Sequence, residues 1–277
     1  TPPYQRVDFN PGTSVSMENA FLAAAKCQGC QEPECVKGCP AGIDIPGFLR
    51  RMEAKNYAGA ARLIREKLPF GETCGLTCAA DRLCQQNCYR REFTGKPVNI
   101  AELQQWVCKE SGDEGWPRNH NSHPLHAVAV IGGGPAAFSC AYYLTLAGCQ
   151  VNVFAAEDQP GGPFLAKIMT NEDLKTAFQR DIQGILGSGV TFVESQGPAR
   201  EMDLKDILEQ YSFVYVAKDQ LSDQMDSGSL PNLDDPTPGS STLLVNAEFQ
   251  MNGMSLVEAA ASGRKAALRI LQSIMGG

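Results

Sequence analysis

Eight of the chain's 11 cysteines fall between Cys27 and Cys88 in a sequence of 277 residues, and no other feature limits the fold so strongly. The first run is Cys27-Gln-Gly-Cys30, then Cys35, then Cys39-Pro40, with gaps of two, four and three residues. The second is Cys74, Cys78, Cys84 and Cys88, with gaps of three, five and three. Three chemistries use cysteine at such density. Disulfide scaffolds belong to small secreted domains. This chain opens on TPPYQRVDFN, with neither the basic nor the apolar segment of a signal peptide, and continues into a long half that needs no staples. Structural zinc favours paired Cys-x2-Cys units that close a tetrahedron, and only one such unit occurs. Iron–sulfur ligation fits the spacing best. Two clusters need about eight ligands, and ferredoxin-like sites use short gaps with a proline after the last cysteine of a run. Soft thiolates suit such clusters, so electron transfer is the expected function class and a structural zinc-bearing interaction protein is the non-redox alternative.

The residues around the cysteines read as helical. From Ile45-Pro46-Gly47 onward, Phe48, Leu49, Met52, Tyr57, Ala60, Leu63 and Ile64 recur near helical spacing through Lys67. Ile100, Leu103, Trp106 and Val107 mark another helix, in which Gln104 reads, on spacing alone, as an ordinary partly buried amide. Cys108, with no partner at motif spacing, reads as a small core residue. A polar linker follows at about residues 111–126 and holds His120, His123 and His126, the chain's three histidines. No cysteine or carboxylate is interleaved there to complete a metal site, so they read as loop residues.

The second half has a different grammar. Ala127-Val128-Ala129-Val130-Ile131 reads as a buried strand, and Gly132-Gly133-Gly134-Pro135-Ala136-Ala137 turns it into a helix running to about Leu146. A strand follows at Val151-Asn152-Val153-Phe154. This Gly-x-Gly-x-x-Ala, in strand-helix-strand context, lets backbone approach a pyrophosphate at the positive end of a helix, which makes Gly132, Gly134, Pro135 and Ala137 a candidate phosphate loop. The ribose-binding acid expected after the second strand is missing: Ala155 and Ala156 come first, and Glu157 stands two positions late as a solvated loop carboxylate. Further strands are expected at 189–193, 213–217 and 243–245, and helices at about 173–186, 204–210 and 254–274. Gly263 inside the last helix predicts close packing, since glycine otherwise weakens a helix by about 1 kcal/mol.

Residues 218–241 form a loop with five aspartates and three prolines, by its length a lid, a partner-facing segment or the scar of a missing element. Ser139 lacks a Gly-x-Ser-x-Gly setting and Asp234-Asp235 reads as a solvated pair, so hydrolysis is not expected. The expected architecture is an α-helical Fe-S domain over residues 1–118 followed by an α/β Rossmann-like domain over 119–277. A net charge of −7 without a basic block argues against nucleic acid. Apolar runs fall short of the roughly 20 residues that span a bilayer, and a cytoplasmic location is expected.

These residues resemble a known family: the glutamate synthase small subunit, the N-terminal half of dihydropyrimidine dehydrogenase and subunits of bifurcating transhydrogenases. The resemblance is specific over about residues 24–107 and looser over about 128–271. It implies a helical domain with two 4Fe-4S clusters, followed by an FAD domain into which an NADPH domain is inserted. Carried over residue by residue, it implies one cluster on Cys27, Cys30, Cys35 and Cys88, and another on Cys39, Cys78, Cys84 and the side chain of Gln104. Val98-Asn99-Ile100-Ala101-Glu102-Leu103-Gln104-Gln105-Trp106 looks most like the dihydropyrimidine dehydrogenase version, in which glutamine is the non-cysteine ligand, and this replaces the bland reading of Gln104. Cys74 is not an expected ligand.

After residue 150 the chain departs from the family. Ala155 replaces an acid, Gly161-Gly162-Pro163-Phe164 replaces Gly-Gly-Leu-Leu, Ala217-Lys218-Asp219 replaces Ala-Thr-Gly, and Ala247-Glu248 replaces the Gly-Asp that contacts flavin. The final-helix pattern from Ser255 through Ala267 is kept. Residues 218–241 stand where the NADPH domain would be inserted, so no NADPH site is expected. The departures imply a retained scaffold with damaged FAD contacts. The expectation is an electron-transfer subunit, not itself catalytic, within a larger redox complex whose other subunits supply donor and acceptor. The alternative is an FAD-containing oxidoreductase subunit that exchanges electrons between flavin and the clusters.

Overall fold

The computed structural model describes residues 16–118, 126–155, 159–193, 207, 209–217, 243–247 and 255–276. Two units emerge. The first comprises residues 1–117 with 176–181 and 255–258; the second comprises 118–175, 182–254 and 259–277. His120, His123, Ala156, Glu157, Lys218, Asp219, Asp234, Asp235, Glu248 and the 218–241 loop lie outside the described residues.

The first unit is helical: α1 (Met17–Ala24), α2 (Glu34–Lys37), α3 (Ile45–Glu53), α4 (Tyr57–Arg65), α5 (Gly71–Thr77), α6 (Arg90–Thr94) and α7 (Ile100–Glu110). Side-chain caps set several starts. Asp44 Oδ1 accepts from Gly47 N at 2.9 Å to open α3, and Asn56 Oδ1 accepts from Gly59 N at 2.8 Å to open α4. The single stripe expected over 45–67 is therefore two helices. They are separated at Lys55, whose φ of 58° no continuous helix allows. Phe48, Leu49, Met52 and Ile64 are fully buried in this unit, each worth about 1.5–3 kcal/mol of burial. Helix α5 crosses α7 at Gly75, where a Cβ would stand 2.6–2.7 Å from Gln105 Cβ, Ala101 O and Gln105 N.

The linker expected at 111–126 begins later than its composition suggests. Residues Gly112–Gly115 form a 3-10 turn, and the Trp116 ring lies 3.9 Å from the buried Arg65 guanidinium. That cation–π contact holds this stretch to the helical unit.

The second unit carries a five-stranded parallel sheet in the order β3-β2-β1-β4-β5. Its strands are β1 (Ala127–Ile131), β2 (Gln150–Phe154), β3 (Thr191–Val193), β4 (Phe213–Ala217) and β5 (Leu243–Ala247). Val130 pairs with Val153 on one side and Tyr215 on the other. Helices α8 (Pro135–Leu146), α9 (Gly162–Ile168), α10 (Glu172–Gly187) and α11 (Leu256–Gly276) accompany it. Of the segment expected to be helical at 204–210, Ile207 is helical and buried, and residues 204–206 and 208 lie outside the described residues.

The start of α11 is a capping box. Ser255 N and Oγ donate to Glu258 Oε2 at 2.8 and 2.6 Å, and Glu258 N donates to Ser255 Oγ at 3.4 Å. Gly263 does pack closely: a Cβ there would collide with the Ala136 carbonyl. The chain is thus an α-helical region followed by a small parallel sheet with flanking helices, the Rossmann-like arrangement the sequence implied. Among the described residues no helix is long and apolar enough to cross a membrane.

Candidate functional site

The two cysteine runs come together through short turns. The loop from Cys39 to Ile43 contains Gly42 at φ 65°, and it turns the backbone N–H groups of Ile43, Ala41 and Gly42 toward Cys39 Sγ. Consecutive N–H groups converging in this way favour a bound negative charge. Backbone N–H groups of Gly29, Val36 and Gln85 likewise face the sulfurs of Cys27, Cys35 and Cys84. The second run is tied to α7 by Gln85, whose Oε1 accepts from Ala101 N at 3.1 Å.

The sulfurs sort into two sets. Cys27, Cys30, Cys35 and Cys88 line one cavity of about 470 Å³, walled by Ile45, Pro46, Leu49, Val98 and Ile100. Cys39, Cys78, Cys84 and Gln104 line a smaller one with Leu68, Ala101 and Val257. Cys74, which the sequence left unassigned, lines that second cavity too.

Burial pushes the Cys35 thiol up to about 12, and the neighbouring Cys88, Cys27 and Cys30 add to the rise. Burial also raises Cys27, with Cys30 and Cys88 adding to it and Gly29 N–H and Arg50 opposing it. In the second set burial raises Cys84, then Cys39, Cys78 and Cys35 do so further. Cys35 acts on a member of the other set, so the two sets are electrostatic neighbours. Cys39 is raised by burial against its three backbone donors. Thiols crowded in this way are costly as bare anions, and metal ligation, which requires thiolates, would release their protons.

Gln104 is 7 % exposed, and its Nε2 donates to Gly71 O at 2.8 Å. With the amide nitrogen held there, Oε1 is the side chain's remaining Lewis base. Behind this set, Asp181 Oδ2 accepts from Thr73 N at 2.9 Å and from Thr73 Oγ at 2.7 Å, and Oδ1 is buried without a hydrogen-bond partner. Glu72, 1 % exposed, accepts from Arg180 Nε at 3.0 Å and Nη2 at 2.5 Å. Sequence reasoning found none of Asp181, Thr73, Glu72 and Arg180. The only signal for Cys74 was its one-turn spacing from Cys78.

Among the described residues no group of three or more His, Cys, Asp or Glu is placed to hold a single metal ion. His126 packs edge-on against Phe213, with ring centroids 5.4 Å apart. Cys108, Cys140 and Cys149 are buried free thiols.

In the second unit Gly134 caps α8 and Pro135 occupies its first turn. Gly132, Gly134, Pro135 and Ala137 are all buried, and Gly161 N donates to Gly133 O at 2.8 Å. A Cβ at Gly162 would lie 3.2 Å from Gly134 N, so the Gly161-Gly162 turn packs directly on the glycine loop. Ala155, at the place of the ribose acid, is 5 % exposed.

Comparison with known proteins matches residues 8–116 to the family model described as dihydropyrimidine dehydrogenase domain II, 4Fe-4S cluster, and residues 130–176 to that of an NAD(P)-binding Rossmann-like domain. The chain belongs to a dihydropyrimidine-dehydrogenase/glutamate-synthase-small-subunit-like family. It is 34 % identical over 210 residues to the NAD-dependent dihydropyrimidine dehydrogenase subunit PreT of Salmonella typhimurium, covering 76 % of this chain and 50 % of that protein. It is 28 % identical to the NADPH glutamate synthase small chain of Azospirillum brasilense, over 73 % of this chain and 42 % of that one. It is also 28 % identical to the NADPH-Fe(3+) oxidoreductase subunit beta of Geobacter sulfurreducens, over 66 % and 27 %. The chain spans about half the length, or less, of these curated relatives. Its membership is therefore in a family of oxidoreductase and electron-transfer subunits, joining an Fe-S-type region to a partial Rossmann-like one.

Proposed function

We propose that the chain is an electron-transfer subunit that holds two 4Fe-4S clusters, one on Cys27, Cys30, Cys35 and Cys88 and the other on Cys39, Cys78, Cys84 and Gln104. The observation that carries this reading is the division of eight cysteines between two cavities, four in the first and Cys39, Cys74, Cys78 and Cys84 with Gln104 in the second, with backbone N–H groups turned onto Cys27, Cys35, Cys39 and Cys84. Soft thiolates supplied with N–H donors and shielded by apolar walls are what iron–sulfur clusters use, and these surroundings tune their potential. A cavity of about 470 Å³ suits a group of several atoms better than one ion. The clusters supply one-electron chemistry when bound. The chain's own residues hold them, exclude water and set their electrostatics.

The Rossmann-like unit serves mainly as a docking scaffold for other subunits of a cytoplasmic redox complex. Its residues fit FAD poorly: the Ala155 methyl offers a ribose no acceptor, and the Gly161-Gly162 turn covers the glycine loop. Only residues 218–242 separate β4 from β5, where the family resemblance would place the nicotinamide domain. Donor and acceptor therefore come from partner chains.

Anaerobic purification followed by iron, acid-labile sulfide, zinc and flavin analysis tests this reading. The expected result is about eight irons and eight sulfides per chain without stoichiometric flavin. Stoichiometric flavin would favour an FAD-containing subunit, and zinc without iron would overturn the redox reading.

A further inference from the structure

The second cavity holds five candidate donor side chains for a cluster that needs four. Cys39, Cys78, Cys84 and Gln104 account for the proposed set, and Cys74 remains. We propose that Cys74 is a positioning residue for the second cluster: its thiol donates a hydrogen bond to the Cys78 sulfur and so raises that cluster's reduction potential.

The geometry begins with helix α5. Cys78 N donates to Cys74 O at 2.8 Å, so the two residues lie one turn apart, and side chains at that spacing share a helix face. Cys78 ends the helix in an extended conformation, φ −66° and ψ 137°, while Cys74 stays inside it with no exposed surface. The two thiols are hydrogen-bonded to each other. As a ligand Cys78 would bind as a thiolate, so Cys74, wholly buried beside it in the same cavity and outside the proposed ligand set, is the thiol left with a proton to donate. Gln104, anchored through Nε2 on Gly71 O, leaves Oε1 to complete the ligand set without Cys74.

A hydrogen bond to a ligand sulfur strengthens as negative charge builds on that sulfur. It therefore favours the reduced state over the oxidised one and raises the potential. One electron enters, no bond is made or broken, and the proton stays on Cys74.

This inference rests on the proposed two-cluster reading, and the experiment separates the two. Wild type, Cys74→Ala and Cys74→Ser are purified anaerobically, analysed for iron and titrated electrochemically with both reduced clusters followed by magnetic resonance. A wild-type chain without iron overturns both readings. With two clusters in the wild type, Cys74→Ala is expected to keep its full iron and to show one of the two potentials lowered and the other unmoved. Cys74→Ser, whose hydroxyl also donates, is expected to stay near wild type. Should Cys74→Ala not fold, Cys74→Val restores volume without a donor and is read the same way. Loss of about half the iron would make Cys74 a ligand and overturn the proposal. So would unmoved potentials, or a Cys74→Ser shift equal to that of Cys74→Ala.

Discussion

The side-chain nitrogen of Gln104 donates a 2.8 Å hydrogen bond to the carbonyl oxygen of Gly71, at the first residue of α5. That bond joins α7 to the helix carrying Cys74 and ending at Cys78, and it fixes which end of the amide can act as a ligand. A glutamine free to rotate would gain nothing as an oxygen donor among thiols. One held by its nitrogen is pre-oriented.

Replacing Gln104 by alanine is accordingly expected to remove or alter one cluster and spare the other. Iron content should fall toward half, about four per chain, with one reduced-cluster spectrum kept. Gln104→Glu retains an oxygen at the same reach and should load more iron than the alanine variant. Two unchanged spectra in Gln104→Ala would rule out the ligand role.

The two cavities make a second, independent prediction. Cys88 comes from the second cysteine run yet lines the cavity of Cys27, Cys30 and Cys35, while Cys39 comes from the first run and lines that of Cys78 and Cys84. Cys88→Ser and Cys84→Ser should therefore damage different clusters, and the signal surviving in one variant should be the signal lost in the other. Spectra of the two singly substituted chains decide it. Loss of the same signal in both would show that ligands are not exchanged between the runs.

Gly75 offers a stability prediction that needs no cofactor. A methyl there would press on Ala101 O and Gln105 N, both backbone atoms unable to swing away. Gly75→Ala should destabilise the helical unit by about 1–3 kcal/mol, the usual cost of overpacking. Gly187 is exposed at the end of α10, and a methyl added to it would meet nothing within 4 Å. Gly187→Ala should be neutral or stabilising by up to about 1 kcal/mol. Thermal denaturation of both variants beside wild type checks the pair.

Features dictated by local pattern were legible in the sequence. The apolar run of β1, the glycine turn into α8 and the five residues of β4 all fall where period and turn chemistry put them. The family, and with it the helical-then-Rossmann order, could be read from the cysteine spacing and the glycine loop. Features dictated by distant partners were not legible. The break at Lys55 follows from the packing of α3 on α4, in a stripe whose spacing hardly changes across it. Helix α5 is seven residues long and wholly buried, so it shows no amphipathic period. Glu72 and Asp181 look like surface acids until Arg180 and Thr73 are seen beside them.

Asp181 is the acid whose titration should be felt in stability. Burial pushes its carboxyl up to about 7, with Glu72 adding to the rise, while Arg65 and the Thr73 N–H and O–H oppose it. Both Thr73 donors meet Oδ2, and Oδ1 is buried without a partner, so ionisation leaves charge on an unsolvated oxygen. In the unfolded chain the same carboxyl titrates near 3.9. The folded state therefore binds the proton more tightly. The resulting contribution is fully present below about pH 3.9 and is lost as pH rises through about 7. Asp181→Asn keeps an oxygen acceptor for Thr73 and cannot ionise. The stability of wild type relative to Asp181→Asn should fall between about pH 4 and 7, by up to about 1.4 kcal/mol per unit, and level off above that range. Denaturant unfolding of both proteins at a series of pH values measures the difference directly, and parallel curves across the range would show that Asp181 is ionised in the folded protein throughout.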